Sequence, residues 1–423
     1  MPGLFHSVRR SPARRFAAAL AMGGALAAGG TVLTATSAAA QAPAKPSYSP
    51  EFVKVYQPVA AIVNAQGGDL AAAKAQLPGV IAAAQSADDR NAAGSMEVIL
   101  GNKLSDHLLQ RQGIELMLAS GKVAPDKVGQ LQFLVGNLAF EAKDYAGART
   151  ALEAARAVGF RDDNLPGLVA ETYFNQNQAA PGLEYLKGAI TERTAAHAAV
   201  SDNWMLRGLQ VAYQNKLAPQ ANDWAVMLVT NSPKPDNWLA SLQVVGAVNP
   251  LDKDARLDLY RLMALTGALR TKNEYESYIE AADPRIMSNE VARVLTAGVS
   301  AGVLKAGETD YVEFKRVVDQ RAPADRADAP KLAAQARAGA NGAAALPVGD
   351  VLYSLAQYDE AAEMYQLAVQ KGGVDKNKAL TRLGIAQVQG GKAAAAKGTF
   401  AQVTGARAPV ARMWQAYAES KAA

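Results

Sequence analysis

Few residues in this chain of 423 are of the types that do chemistry. Its imidazoles are His6, His107 and His197, and it has no cysteine. His107 lies in KLSDHLLQRQ and His197 in TERTAAHAAVSDNW, and neither has a second His or a Cys at metal-ligand spacing. A Ser-His-Asp triad would have to draw on these two, and neither stands in a recognisable setting. Gly298-Val299-Ser300-Ala301-Gly302 spells a nucleophile elbow, but an elbow needs a strand before its serine, and EVARVLTA reads as helix. Asp252, Asp254 and Asp258 in NPLDKDARLDLY suggest an acidic ligand loop. The turn glycine and closing bidentate glutamate of a calcium loop are missing, and helix N-capping accounts for the aspartates better. KGG and QGG read as helix C-caps rather than phosphate cradles. No pair of carboxylates is singled out for glycoside cleavage. The expectation is a protein that is not an enzyme, with no catalytic residue, no metal and no cofactor.

Aromatic residues offer a second chemistry. Trp204, Tyr213, Trp224 and Trp238 fall close together, beside Met205 and Met227. Such a cluster could be a platform for a glycan or small molecule, and this Trp-rich middle is the alternative reading of the chain. Core plugs at helical spacing are the plainer expectation.

The elements that would position these residues begin with the N-terminus. Arg9, Arg10, Arg14 and Arg15 precede an apolar stretch, and Ala38-Ala39-Ala40 gives a small-residue cleavage signature before Gln41. Residues 1–40 therefore read as a secretory signal peptide cut after Ala40, with export to the periplasm expected and release to the medium as the alternative. The four leader arginines face no acid, so the formal charge of +5 falls to +1 without them. That balance argues against nucleic acid as a partner. The absence of cysteine excludes disulfides, thiolate metal sites and an acylated lipoprotein cysteine. No second stretch is long and apolar enough to span a bilayer, so no stable membrane span is expected after cleavage.

Residues 41–50 form a Pro-rich lead-in. Beyond them the chain reads as helical nearly throughout, with breaks at QGGD, NLPG, NSPKPDN, VNPLD and KGGVDKN. Segments between breaks have the length of helices paired in hairpins. The division expected is a helical repeat region at 51–318, a hinge or irregular loop at 319–345 around DQRAPADRADAP, and further repeats with a C-terminal helix at 346–423. That last helix, ARAPVARMWQAYAESK, is expected to cap the array.

One spacing recurs: a small residue, a second small residue twelve later, a large one four after that, and a further apolar residue after three. Gly136, Ala148, Leu152 and Ala155 carry it; so do Ala170, Gly182, Leu186 and Ala189. Gly349, Ala361, Tyr365 and Ala368 carry it again, and Gly384, Ala396, Phe400 and Val403 follow 35 residues later. A fifth copy is expected around DNWMLRGLQVAY, with Gln220 at its small-residue site. Small residues let two helices approach closely, and the large ones are expected to plug the groove to the next hairpin.

This pattern resembles the tetratricopeptide repeat (TPR), strictly over about 130–233 and 345–404, and the chain looks like a TPR-like periplasmic protein of proteobacterial type. The resemblance implies an all-α fold, an α-solenoid of stacked antiparallel helical hairpins forming a superhelix. It implies a scaffold or adaptor working by protein–protein interaction with an unknown periplasmic protein or peptide, in cell-envelope or polysaccharide assembly. Carrying over the repeat's concave positions makes Asn137, Glu141, Tyr213, Tyr353, Lys378 and Gln389 the expected partner-binding residues.

Overall fold

The computed structural model describes residues 45–422. The expected leader lies outside them. Among the described residues there is no strand, and the fold is an all-α array of antiparallel helical hairpins of TPR-like type. No described helix is long and apolar enough to cross a membrane.

The chain divides into two compact units at Tyr185 and Leu186. Unit 1 holds α1 (Pro50–Asn64), α2 (Leu70–Ala83), α3 (Ala87–Leu104), α4 (His107–Ser120), α5 (Pro125–Glu141), α6 (Tyr145–Ala157) and α7 (Leu165–Phe174). The dividing point falls inside α8 (Ala179–Ala195). Unit 2 continues with α9 (Asp202–Gln214), α10 (Ala218–Asn231), α11 (Pro235–Val248), α12 (Lys253–Leu265), α13 (Lys272–Ala282) and α14 (Ser288–Ser300). Next are α15 (Thr309–Ala338), α16 (Ala345–Ser354), α17 (Tyr358–Lys371), α18 (Lys376–Gln389), α19 (Ala393–Phe400) and α20 (Ala408–Ala422).

One turn closes ten helix ends among the described residues, and five of these lie in the repeat copies. Lys143, Asn177, Lys216, Ala356 and Gly391 all have positive φ, between 57° and 76° for Lys216 and Gly391 at the two ends. In each case the next residue donates its N–H five back: Asp144 to Ala139, Gln178 to Tyr173, Leu217 to Ala212, Gln357 to Leu352, and Lys392 to Gln387. This is the Schellman closure, which satisfies helix-end carbonyls by placing one residue in the left-handed region. The buried small residue comes five positions after the left-handed one, as in Lys143 and Ala148, Ala356 and Ala361, and Gly391 and Ala396. Counted from this turn, the small site of the fifth copy is Ala221, fully buried, rather than Gln220. The departure expected at Gln220 is thus a register shift of one residue.

The large residue packs differently from expectation. A Cβ added to Gly136, Gly349 or Gly384 would lie 2.6, 2.6 or 2.4 Å from Leu152, Tyr365 or Phe400 respectively. Each pair joins the two helices of a single hairpin, so the plug fills the gap above its own glycine rather than reaching only to the next copy. Gly208 repeats the arrangement against Trp224, at 2.4 Å. Such distances leave room for hydrogen alone on the first helix.

The loop or hinge expected at 319–345 is mostly helix. α15 runs unbroken through DQRAPADRADAP, with Pro323 and Pro330 inside it. Alanine-rich sequence favours helix, and Asp325, which accepts from Ser288 Oγ at 2.5 Å, ties the segment to the start of α14. α20 also departs from expectation. It packs mainly on α19 and α10 and touches α11, α12 and α18 as well, and so does more than cover one end of unit 2.

Candidate partner-binding surfaces

In unit 2 the face that the resemblance assigns to a partner is filled from within. α12 presents Asp254, Asp258 and Arg261 at intervals of four and three, one face of a helix. Arg382 on α18, 1 % exposed, meets this face: Nη2 lies 2.7 Å from Asp254 Oδ1 and Nε 3.7 Å from Asp258 Oδ1. Its Nη1 pairs with Asp350 of α16, whose other oxygen accepts from Tyr365 at 2.8 Å. Arg261 makes a two-pronged pair with Glu290 of α14, both contacts at 2.8 Å, and Glu290 also accepts from the Tyr278 hydroxyl at 2.8 Å. Burial opposes ionisation of Glu290, but the guanidinium beside it outweighs burial and holds its carboxyl below the usual range. Arg407, just before α20, reaches Asp258 at 3.2 Å and Asp252 at 3.1 Å. Three buried arginines thus face three buried carboxylates, Asp258, Glu290 and Asp350, with Asp252 and Asp254 at the exposed edge of the cluster.

Three of the expected partner-binding residues serve this closure. Tyr353 is only 3 % exposed and lies under the Arg261 guanidinium, 4.1 Å from the ring centroid. Burial raises its phenol above the ordinary value. Its face is unavailable to a peptide because a cation already occupies it. Lys378 Nζ pairs with Asp254 at 2.7 Å, and Gln389 Nε2 lies 3.5 Å from the Tyr353 hydroxyl. Tyr213, on α9, is half-buried.

The same cluster revises the reading of the aspartates. Asp252 does cap α12, accepting from Ala255 N–H at 2.7 Å. Asp254 and Asp258 instead bind the chain's own basic side chains. Sequence reasoning passed over Arg261, Asp350, Arg382 and Arg407. The available signal was a charged residue on an otherwise apolar helix, as Asp350 is in ALPVGDVLYS.

The remaining candidates resolve in the structure as packing or as turns. Gly298 to Ser300 end α14 and Gly302 takes the left-handed turn after it, and a Cβ on Gly298 would sit 2.6 Å from Leu304. Trp224 and Trp238 are 2 % and 3 % exposed, which rules them out as an open glycan platform. Trp204 is half-buried, with the Arg193 guanidinium 5.6 Å from its ring. His197 occupies a left-handed turn after α8. Among the described residues no three His, Asp or Glu side chains gather as metal ligands.

Unit 1 keeps an open surface. A cleft of about 170 Å³ between α4 and α5 is lined by His107, Leu108, Arg111, Leu138, Glu141 and Ala142. Leu108 is 62 % exposed on its rim. The polar groups around it are paired: His107 Nδ1 to Glu141 Oε2 at 2.9 Å, and Arg111 to Glu115 and Asp144 at 2.7 and 2.8 Å. The Gly147 N–H and the Arg111 guanidinium hold the Asp144 carboxyl below its usual range. Of the two expected residues on α5, Glu141 lines this cleft, whereas Asn137 turns its amide onto the Phe133 carbonyl at 3.0 Å.

No protein-family model matches this chain, and no curated protein matches it in sequence. Solved structures are similar at low identity. A chain in the structure of Naa15/Naa10 bound to HypK-THB is 14% identical, with 85% of this chain and 58% of that one covered and a TM-score of 0.41. This chain therefore spans less than two thirds of the length of that one. The C-terminal part of a TPR repeat-containing protein from Cytophaga hutchinsonii is 15% identical over 62% of this chain and 99% of its own, at 0.32. Yeast Tom70 is 9% identical over 88% and 95%, at 0.22. The TPR-like character of the fold accordingly stands on the hairpins, their shared turn and their glycine seats.

Proposed function

We propose that this protein is an exported periplasmic scaffold or adaptor, acting by protein–protein contact, with the α4–α5 cleft of unit 1 as its docking surface. One observation carries the reading: an exposed leucine on the rim of a cleft whose surrounding polar groups are already paired with one another. A partner side chain seated in the cleft would bury Leu108, now 62 % exposed, together with Leu138 beneath it. Cell-envelope or polysaccharide assembly is the setting this reading assigns. Support for export comes from the arginine-rich start, the apolar stretch and the Ala38-Ala39-Ala40 signature.

The test is a photoreactive amino acid at Leu108 in the native host, with Val158, exposed elsewhere in unit 1, as control. A discrete crosslinked species at Leu108, lost when Glu141→Lys is added, is the expected result. Crosslinking at neither position, or equally at both, overturns the surface. Export is read separately, by the N-terminal mass of protein from the periplasmic fraction, which should begin at Gln41.

A further inference from the structure

We propose that unit 2 contains a helix-binding groove, walled by α10, α11 and α12 on one side and α18 and α19 on the other, whose present occupant is the chain's own α20. The partner it fits is an amphipathic helix of the same chemistry: an arginine ahead of the first turn, then a valine, methionine and tryptophan stripe. This goes beyond the cleft of unit 1 and stands on unit 2 alone.

Three features of α20 distinguish an occupant from a terminal cap. A cap needs only its neighbours, but Trp414 donates Nε1–H to the Asp258 carbonyl at 2.8 Å, across 156 residues of sequence. Val410, Met413 and Trp414 are each at most 1 % exposed and lie along one face of the helix. The second feature is polar anchoring at both walls. Arg407 fixes the entry of the helix on Asp252 and Asp258 of the α12 wall. Arg412 pairs with Asp223 of α10 at 2.8 Å, and Glu419 with Lys397 of α19 at 3.1 Å. The third is aromatic recognition: Tyr417 lies edge-on to Trp238 of α11 at 6.0 Å, and Trp414 stacks on Phe400 at 6.4 Å. A buried apolar stripe, a pocketed tryptophan and charges at the rim are how helices are held in grooves. α20 sits in no glycine seat of the repeat kind, and its surface is complementary to five helices instead.

The probe is a fluorescent peptide of residues 405–423, titrated against the full chain and against the double variant Arg407→Ala, Trp414→Ala. The variant, whose own helix is weakened, is expected to bind the peptide at least tenfold tighter than the unaltered chain. The same peptide carrying Trp414→Ala should fail to bind. A variant with unchanged far-ultraviolet circular dichroism that binds no better than the unaltered chain overturns the proposal. A second measurement needs no variant: hydrogen exchange of the unaltered chain, with and without excess peptide. Exchange of α20 amides at least tenfold faster than those of α12, and faster again with peptide, supports the groove. A common rate for α20 and α12, unmoved by peptide, overturns it.

Discussion

Glu97 shows what a single buried side chain imposes on unit 1. It lies on α3 with 3 % exposure, opposite Gly113 of α4, where an added Cβ would come within 2.7 Å of its own Cβ. Burial pushes its carboxyl up to about 7. The folded chain therefore holds a proton that the unfolded chain releases near pH 4.5, so stability falls as pH rises from about 4.5 to about 7 and then levels. Glu97→Gln should remove that slope and raise stability at pH 8 by up to about 3 kcal/mol, the worth of such a shift. Urea unfolding of both proteins at pH 5 and pH 8 checks this, and parallel midpoints at the two pH values would contradict it. Nothing in the sequence marks Glu97, because GSMEVILG gives no sign that a neighbouring helix will approach so closely. Tyr353 carries the same lesson in reverse. Its place on a repeat's first helix suggested an open groove, and Arg261 from α12 closed it.

The hairpin turn is the element on which the repeats depend. Left-handed backbone costs most residues with a Cβ ~1–2 kcal/mol; of the five repeat turns Gly391 avoids that cost, and the short polar side chain of Asn177 eases it. Ala356→Gly should then stabilise unit 2 by about 0.5–1 kcal/mol, and Gly391→Ala should destabilise it similarly, both read from chemical denaturation. The seats opposite are less forgiving. Gly384→Ala would drive a Cβ to 2.4 Å from the Phe400 ring, and overpacking of this kind costs ~1–3 kcal/mol. The midpoint of unfolding should fall accordingly, and an unchanged midpoint would show that the hairpin opens without strain. The twelve-four-three spacing was legible because these seats admit only small residues. The turn was legible only at the QGG that ends in Gly391, because Lys143 and Ala356 are poor left-handed formers held there by the hydrogen bonds that close the helix.

At the scale of the whole molecule, unit 2 is held by a charge cluster that joins segments far apart in sequence. Arg407 and Asp258, 149 residues apart, meet at 3.2 Å, and Arg382 and Asp254, 128 apart, at 2.7 Å. Removing one member leaves its partner charged and buried, which costs ~3–5 kcal/mol. Arg382→Met should lower the stability of unit 2 by about that much and leave hydrogen exchange in α3 to α6 of unit 1 unchanged. Equal loss in both units would mean that they unfold as one.

Local chemistry determined most of what could be read without coordinates. Alanine and strong helix formers, punctuated by Gly, Pro, Asn and Asp, dictate helices and their ends through interactions within a few residues. The repeated small sites dictate that those helices pair. The tertiary structure decided the rest, because it depends on which chain segments meet. It carried Pro323 and Pro330 through α15, moved the small site of the fifth copy to Ala221, and turned Tyr365 onto its own Gly349. It also brought Asp258, Arg382 and Trp414 together. No spacing rule reports such a meeting, since the free energy that favours it comes from paired charges, hydrogen bonds and buried rings supplied by distant segments.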